Sequence, residues 1–282
     1  MELSQSNIHE FISSLKQYST YDLTEYSENS LTRRIDKVLI DNSMNFNDLL
    51  DKLSKDSQFC ELVMKQITVN TTELFRDTQL WQELHYKLLP LLENNQTIKI
   101  WHAGCSNGLE VYSLCILLQE MKLLDRCQIY ASDLNPDILN QAIKGEYSIR
   151  HKNEFIESFD KAIKENPFDS DFKNISFDTY FEINKKKDVI QIKQPIRDKP
   201  IFKKNDLVKL DNIFLTKFDI ILCRNVLIYF NNDLQRKVFE FFHKNLVDDG
   251  YLILGMQESM AWFMNTLFEK KGLCYKKISE KI

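Results

Sequence analysis

Apolar residues recur at helical spacing through the first quarter of the chain. Ile8, Phe11, Ile12 and Leu15 share one helix face, as do Leu31, Ile35, Val38 and Leu39, and then Phe46, Leu49, Leu50 and Leu53. Residues three and four apart stack on one side of an α-helix, and no period-two alternation interrupts them. The pattern predicts a small bundle of short helices from residue 6 to about residue 75, with a further amphipathic helix over about 78–92.

After that the period changes. TIKIW (97–101), CQIYAS (127–132), FDIILC (218–223) and YLILG (251–255) are short β-prone runs. Helical stretches follow the first three: one with Val111, Leu114, Cys115 and Leu118 on one side, then 136–143 and 232–246. FDIILC is almost wholly apolar, as a strand covered on both sheet faces must be. Strand–helix alternation of this kind predicts an α/β architecture with a mostly parallel, doubly wound sheet.

The rhythm breaks between Lys144 and Lys204, where the chain is polar and carries prolines at 167, 195 and 200. This stretch is too long for an ordinary connection. It reads as an inserted subdomain at about 145–200, with a small antiparallel element built from TYFEI and KDVIQI. The KKK run at 185–187 reads as a solvated turn. The domain reading is therefore an N-terminal helical domain over 1–76 and a larger domain over 77–282 that carries the insertion.

Composition narrows the classes. At 43% hydrophobic the 282 residues can build a real core, and a net charge of −4 gives no reason to expect nucleic-acid binding. The opening MELSQSNIHEFISS lacks the basic and apolar regions of a secretion signal, and no apolar run approaches the ~20 residues of a membrane-spanning helix. A cytoplasmic protein with no direct membrane insertion is expected. None of the six cysteines forms a C-x-x-C pair, so reduced and mostly buried thiols are expected, with no metal site.

The strongest local signal is IKIWHAGCSNGLEVYSL (98–114), a strand running through a small-residue turn into a helix. Gly104 and Gly108 allow a sharp bend and close approach to a ligand, although the spacing is not that of the dinucleotide fingerprint. The next strand ends in Asp133, within YASDLNP. A carboxylate at that sheet edge can accept both hydroxyls of a ribose. Alternatively, Asp133 caps the following helix, with Pro136 in its first turn. Turn and acid together select an adenosyl cofactor without separating NAD from S-adenosylmethionine.

At these residues the chain resembles the CheR chemoreceptor methyltransferases. AGCSNGLEVYSL is similar to their AGCSTGEEPYSLA, TVNTTELFRD (68–77) to T-x-N-x-T-x-F-F-R, and FDIILCRNVLIYF (218–230) to FDxIFCRNVxIYF. GMQES (255–259) stands where they have GHSES. The resemblance implies a Rossmann-like methyltransferase sheet with a small inserted β-subdomain, preceded by an all-α domain. It implies S-adenosylmethionine as methyl donor, S-adenosylhomocysteine as product, and glutamate side chains of chemoreceptors as acceptors. By motif position it places Asn70, Thr72, Arg76, Gly104, Glu110, Asp133, Asn225 and Val226 at the cofactor. Asp206 and Leu207 stand where the family has Asn-Leu, and Tyr229 at the family's active-site tyrosine. Leu109, Leu74, Asp206, Met256 and Gln257 depart from the family pattern.

The chemistry implied is economical in residues. A glutamate carboxylate, with a pKa of about 4.3, is already ionised at neutral pH and needs no general base. The enzyme must chiefly align it with the activated methyl. Arg76 and Tyr229 are the residues expected to act on the acceptor. Arg76 offers a planar fork matched to a carboxylate; the cofactor's own carboxylate is an equal candidate for it, and a salt bridge between domains the less favoured alternative. The five histidines are scattered, and His102 reads as a packing or hydrogen-bonding residue. Arg224 reads as a structural partner. Arg33, Arg34 and Lys37 form a local basic cluster, either a solvated helix face or, as in the family, a stripe that meets the acidic receptor. The expected partner is the cytoplasmic helical bundle of a chemoreceptor, approached by a monomer. Two alternatives remain: a related methyltransferase with another carboxylate or protein acceptor, and a catalytically weak cofactor-binding signalling module.

Overall fold

The computed structural model describes residues 3–68, 72–167, 173–260 and 262–279. The chain forms two compact units, Met1–Val69 with Val226–Phe239, and Asn70–Asn225 with Glu240–Ile282.

The first unit is built on helices α1 (Gln5–Tyr18), α2 (Glu28–Asp41), α3 (Phe46–Lys55) and α4 (Ser57–Ile67). Their starts are set by side chains that satisfy otherwise unpaired N–H groups. Ser4 accepts from the Asn7 N–H and Asn45 from the Asp48 N–H, each in a reciprocal capping box. Asp56 ends α3 and caps α4, accepting from the Gln58 and Phe59 N–H groups, so one residue makes the corner. The buried stripes are Ile8, Phe11, Ile12 and Leu15; Leu31, Ile35 and Val38; Phe46, Leu49 and Leu53. Leu39 and Leu50, expected on those faces, are only half-buried at the margins. The returning segment adds Phe230, which bridges Tyr26 and meets its ring edge-on at 5.2 Å. Lys237 is paired with Glu25 at 2.5 Å.

The second unit begins with α5 (Thr78–Glu83), followed by a π-turn over Leu84–Leu88 and a 3-10 turn over Leu89–Leu92. The single amphipathic helix expected here is thus broken up. Pro90 has no N–H to continue an α-helical ladder. Then come β1 (Ile98–Ala103), α6 (Leu109–Glu120), β2 (Cys127–Asp133), α7 (Pro136–Lys144), β3 (Glu146–Ser148), α8 (Lys152–Phe159), β4 (Phe181–Asn184), β5 (Val189–Ile192), α9 (Gln194–Arg197) and β6 (Pro200–Lys204). β7 (Phe218–Cys223), α10 (Asn232–Asn245), β8 (Leu246–Leu254), β9 (Phe268–Lys271) and β10 (Cys274–Lys277) complete it, with the first turns of α10 in the returning segment of the first unit.

Seven strands form the main sheet in the order β6-β2-β1-β7-β8-β10-β9. The first five run parallel, and β9 and β10 close the edge as an antiparallel hairpin. Its middle is dry: Ile100, Ile129, Ile221 and Leu252 are wholly buried. The inserted stretch carries its own antiparallel sheet, β3-β5-β4, in which Phe181 pairs with Ile192 as TYFEI and KDVIQI require. Lys185–Lys187 lie exposed in its hairpin turn. Two features depart from the expectation. Pro200–Lys204, within the stretch where strand–helix alternation is lost, is an edge strand of the main sheet, paired with β2. β3, β9 and β10 are strands too short and too polar to carry a periodic signal.

Candidate functional site

Parallel α/β sheets bind ligands beyond the carboxyl ends of their strands, where the chain direction of the connections diverges. In this sheet the divergence falls between β1 and β7, whose connections lead to β2 on one side and β8 on the other.

β1 runs directly into the glycine turn. Gly104 (φ 81°) and Gly108 (φ 85°) adopt left-handed backbone that a side chain would oppose. A Cβ on Gly108 would also lie 2.9 Å from the Ala142 Cβ of α7. The turn is lashed to the end of β2: the Gly104 and Cys105 N–H groups both donate to the Ser132 carbonyl, at 2.8 and 2.9 Å. Asp133 completes the tie, its Oδ2 accepting the Ser106 N–H at 2.8 Å and its Oδ1 the Asn135 N–H at 3.0 Å. Asn135, not Asp133, caps α7, accepting from the Asp137 N–H at 3.0 Å with Pro136 next. Burial pushes the Asp133 carboxyl above the usual range, against the pull of backbone N–H groups from Asn135, Ser106 and Leu134.

Glu110 lies in the first turn of α6, where a negative charge is favoured by the helix dipole. Its Oε1 is 3.1 Å from His102 Nδ1, and its Oε2 accepts from Arg224 Nη1 at 2.7 Å. Burial alone would raise its pKa; the Arg224 charge first, then the His102 contacts, hold it below the usual carboxylate value. The Arg224 guanidinium also donates from Nη2 to Asp77 Oδ2 at 2.6 Å and to the Arg76 carbonyl at 3.2 Å. That carbonyl accepts the Trp81 indole N–H at 2.8 Å as well. Phe75 (φ 50°) and Asp77 (φ 58°) flank Arg76 in strained left-handed backbone, and the Phe75 N–H is tied to Ser113 Oγ at 2.8 Å. Arg76 is thus fixed by its backbone. Its half-buried guanidinium has no ion-pair or hydrogen-bond partner among the described residues.

Asn225 follows β7 at φ 59°. Its N–H and that of Gly255 both donate to one oxygen of Glu258, at 2.7 Å each. A Cβ at Gly255 would press on that carboxylate at 2.8 Å, so the GMQES segment needs its glycine for this close approach. On the other side of the sheet, the Asn205 N–H donates to the Asp133 carbonyl at 3.0 Å, which places the end of β6 beside the end of β2. Asp206 caps the short turn Leu207–Lys209 through the Val208 N–H at 3.1 Å, and both Asp206 and Leu207 are half-buried.

Gly104, Asp133, Asp206 and Asn225 therefore stand just beyond or at the carboxyl ends of β1, β2, β6 and β7, with Glu110 on the helix after β1. Arg76 joins them through Arg224. Thr72 is half-buried a few residues before Arg76, and Asn70 lies outside the described residues. Val226 and Tyr229 belong to the returning segment of the first unit, where the Tyr229 carbonyl accepts the Ser27 N–H at 2.9 Å. Arg224 and His102 take up the structural and hydrogen-bonding roles read from the residue pattern, and Glu258 gains one that the pattern did not assign. The signal for Arg224 was a charged residue directly after a wholly buried strand. No group of acidic, histidine and cysteine side chains with metal-holding geometry occurs among the described residues. All six cysteines are free thiols, and Cys127 is half-buried while the others are buried.

Comparison with known proteins finds two family domains along the chain. Residues 6–68 match the family model described as the CheR methyltransferase all-alpha domain, and residues 70–275 the CheR methyltransferase SAM binding domain. Cher3 of Pseudomonas putida, named as a methyltransferase without an acceptor, is 33% identical over 242 residues, 86% of this chain and 84% of that protein. A chemotaxis protein methyltransferase of Listeria monocytogenes is 30% identical over 242 residues, 85% of this chain and 84% of that one. One of Campylobacter jejuni is 28% identical over 288 residues, 98% of this chain and 97% of that one. With a helical unit, a methyltransferase sheet and both family domains matched along its length, the chain belongs to the CheR family of S-adenosylmethionine-dependent methyltransferases.

Proposed function

We propose that this protein methylates glutamate side-chain carboxylates of chemoreceptors, acting as a protein-glutamate O-methyltransferase. The carrying observation is Arg76, a guanidinium anchored by its backbone in the sheet-edge unit while its charged end has no partner among the described residues. A planar cation so placed suits a carboxylate. The residues fit the methyl donor. Gly104 and Gly108 let backbone approach it closely, the unused lone pairs of Asp133 suit ribose hydroxyls, and ionised Glu110 suits the ammonium group. Asp206 and Leu207 suit the adenine end, with Thr72 and Asn225 completing the proposed lining. When bound, S-adenosylmethionine supplies a methyl group already activated on a sulfonium. Arg76 then orients the acceptor carboxylate. No proton need be removed, because the acceptor is ionised at neutral pH.

The test is incubation of the full chain with methyl-labelled S-adenosylmethionine and chemoreceptor cytoplasmic fragments from the same organism. Label should enter the fragment without added metal and be released as methanol by mild alkali, as esters release it and N-methyl groups do not. Arg76→Ala should lower turnover by roughly tenfold or more, and Arg76→Lys should restore it only in part, since the ammonium keeps charge but loses the fork. A second reading, another carboxylate acceptor, is favoured by Met256 and Gln257 at the GMQES turn, where Met256 is 44% exposed. Tight cofactor binding with no label in any receptor fragment would select it.

A further inference from the structure

Glu110 is the only acidic residue in the first turn of α6, and both its oxygens are engaged. One contact is the His102 imidazole on β1. The other is Arg224, whose side chain is wholly buried and whose guanidinium reaches two carboxylates and a carbonyl. We infer that Arg224 is a positioning residue for the methyl donor: it fixes Glu110 in one orientation and in its charged form, so that the carboxylate is ready for the donor's ammonium group. The inference rests on the reading above that Glu110 meets that group.

The geometry carries the argument. Arg224 cannot swing away from Glu110, because Asp77 holds Nη2 at 2.6 Å and the Arg76 carbonyl holds the same nitrogen at 3.2 Å. The ring of Trp81 lies 5.9 Å from the guanidinium carbon. Among the described residues Nη1 donates to Glu110 alone, at 2.7 Å. A carboxylate in this position needs such a counter-charge, since a buried charge without one takes up a proton instead. The other ionisable groups facing it do not replace Arg224. His102 on β1 contacts the opposite oxygen. Cys105 in the turn and Cys223 at the end of β7 have thiols pushed up by burial, and they stay neutral. Asp133 and Asp77 add only negative charge nearby. A lysine at 224 would keep a charge but could not hold Glu110, Asp77 and the Arg76 carbonyl together with a fixed fork.

The experiment is calorimetric titration of the full chain with S-adenosylhomocysteine, with thermal melting run on every variant. Glu110→Gln should weaken binding roughly tenfold to a hundredfold, the range for a hydrogen bond to a charged group. Arg224→Met should weaken it to a similar degree, and its deficit relative to wild type should widen as pH falls from neutral, because Glu110 without its counter-charge protonates earlier. Arg224→Lys should lie between. In the Glu110→Gln background, Arg224→Met should cost little further affinity, since both changes act through one contact. That double variant has no uncompensated carboxylate at 110, so it and Arg224→Lys keep the test readable if Arg224→Met alone does not fold. If Glu110→Gln binds as wild type does, the assignment of Glu110 to the donor fails and this inference with it. If Glu110→Gln weakens binding but Arg224→Met and Arg224→Lys leave affinity and its pH dependence unchanged, or if the two losses simply add, Arg224 is structural only and the inference alone is overturned.

Discussion

Asp133, proposed to hold the ribose, also holds the backbone around it. Each of its oxygens accepts a backbone N–H, from Ser106 and from Asn135, so the carboxylate builds the turn before any ligand arrives. Replacing it with asparagine must turn an amide NH2 toward one of those N–H groups, whichever way the amide faces. Asp133→Asn is therefore expected to weaken S-adenosylmethionine binding about tenfold at neutral pH, measured by calorimetry. The pH dependence has a definite sign. Burial raises the Asp133 pKa, so the charged acceptor is lost at a higher pH than for an ordinary aspartate. Wild-type affinity should fall on acidification beginning above the usual aspartate range, and the asparagine variant should lack that component. An identical acid profile in both proteins would remove Asp133 from the site. Glu258 does comparable work for Asn225, with a single oxygen holding the N–H groups that follow β7 and β8.

At the scale of elements, the β1–α6 turn and the run from α5 through the π-turn are the most constrained. Gly108 combines left-handed backbone with a Cβ position only 2.9 Å from Ala142. Gly108→Ala should destabilise the protein by about 1–3 kcal/mol and weaken cofactor binding, read by denaturant unfolding and calorimetry; an unchanged melting midpoint would show that the turn relaxes freely. His85 lies buried in the π-turn over Leu84–Leu88, with Lys173 Nζ at 3.3 Å from its Nε2. Burial, and then the Lys173 charge, lowers its pKa from 6.5 to about 4. The fold therefore prefers the neutral ring: its contribution is complete above 6.5 and is lost as pH falls toward 4, by up to ~3 kcal/mol. His85→Phe should flatten the acid limb of the stability curve over that window, measured by melting at a series of pH values. A limb of unchanged slope would mean that another group carries it.

For the whole molecule, the question is what the first unit meets. Arg33 and Lys37 are exposed on α2 and Arg34 is half-buried, while Lys37 is already paired with Asp41 at 2.9 Å. If this stripe faces an acidic receptor, reversing Arg33 and Arg34 to glutamate should raise the apparent KM for receptor severalfold and reduce its salt sensitivity, with cofactor affinity untouched. Receptor kinetics that do not move would leave the stripe as ordinary solvated surface. The described residues contain no helix long and apolar enough to cross a membrane.

By itself the sequence determined what depends on neighbours along the chain. Three-and-four spacing of apolar residues specified α1, α2 and α3, because a helix face is a local property. FDIILC specified β7 over the same residues, 218–223, because an almost wholly apolar run has no solvated side. The strand–glycine–helix order and the acid ending the next strand singled out the proposed cofactor edge for the same reason. The tertiary structure decided what depends on which strands become neighbours. β6 is a strand only because β2 offers it an edge, and the β9–β10 hairpin only because β8 does. Arg224 and Glu110 are 114 residues apart, and Glu258 and Asn225 are 33 apart. Such contacts arise when β7 lies between β1 and β8 and the three strands bring their carboxyl ends to one edge. No local preference encodes them, since the same arginine after a different strand order would meet water.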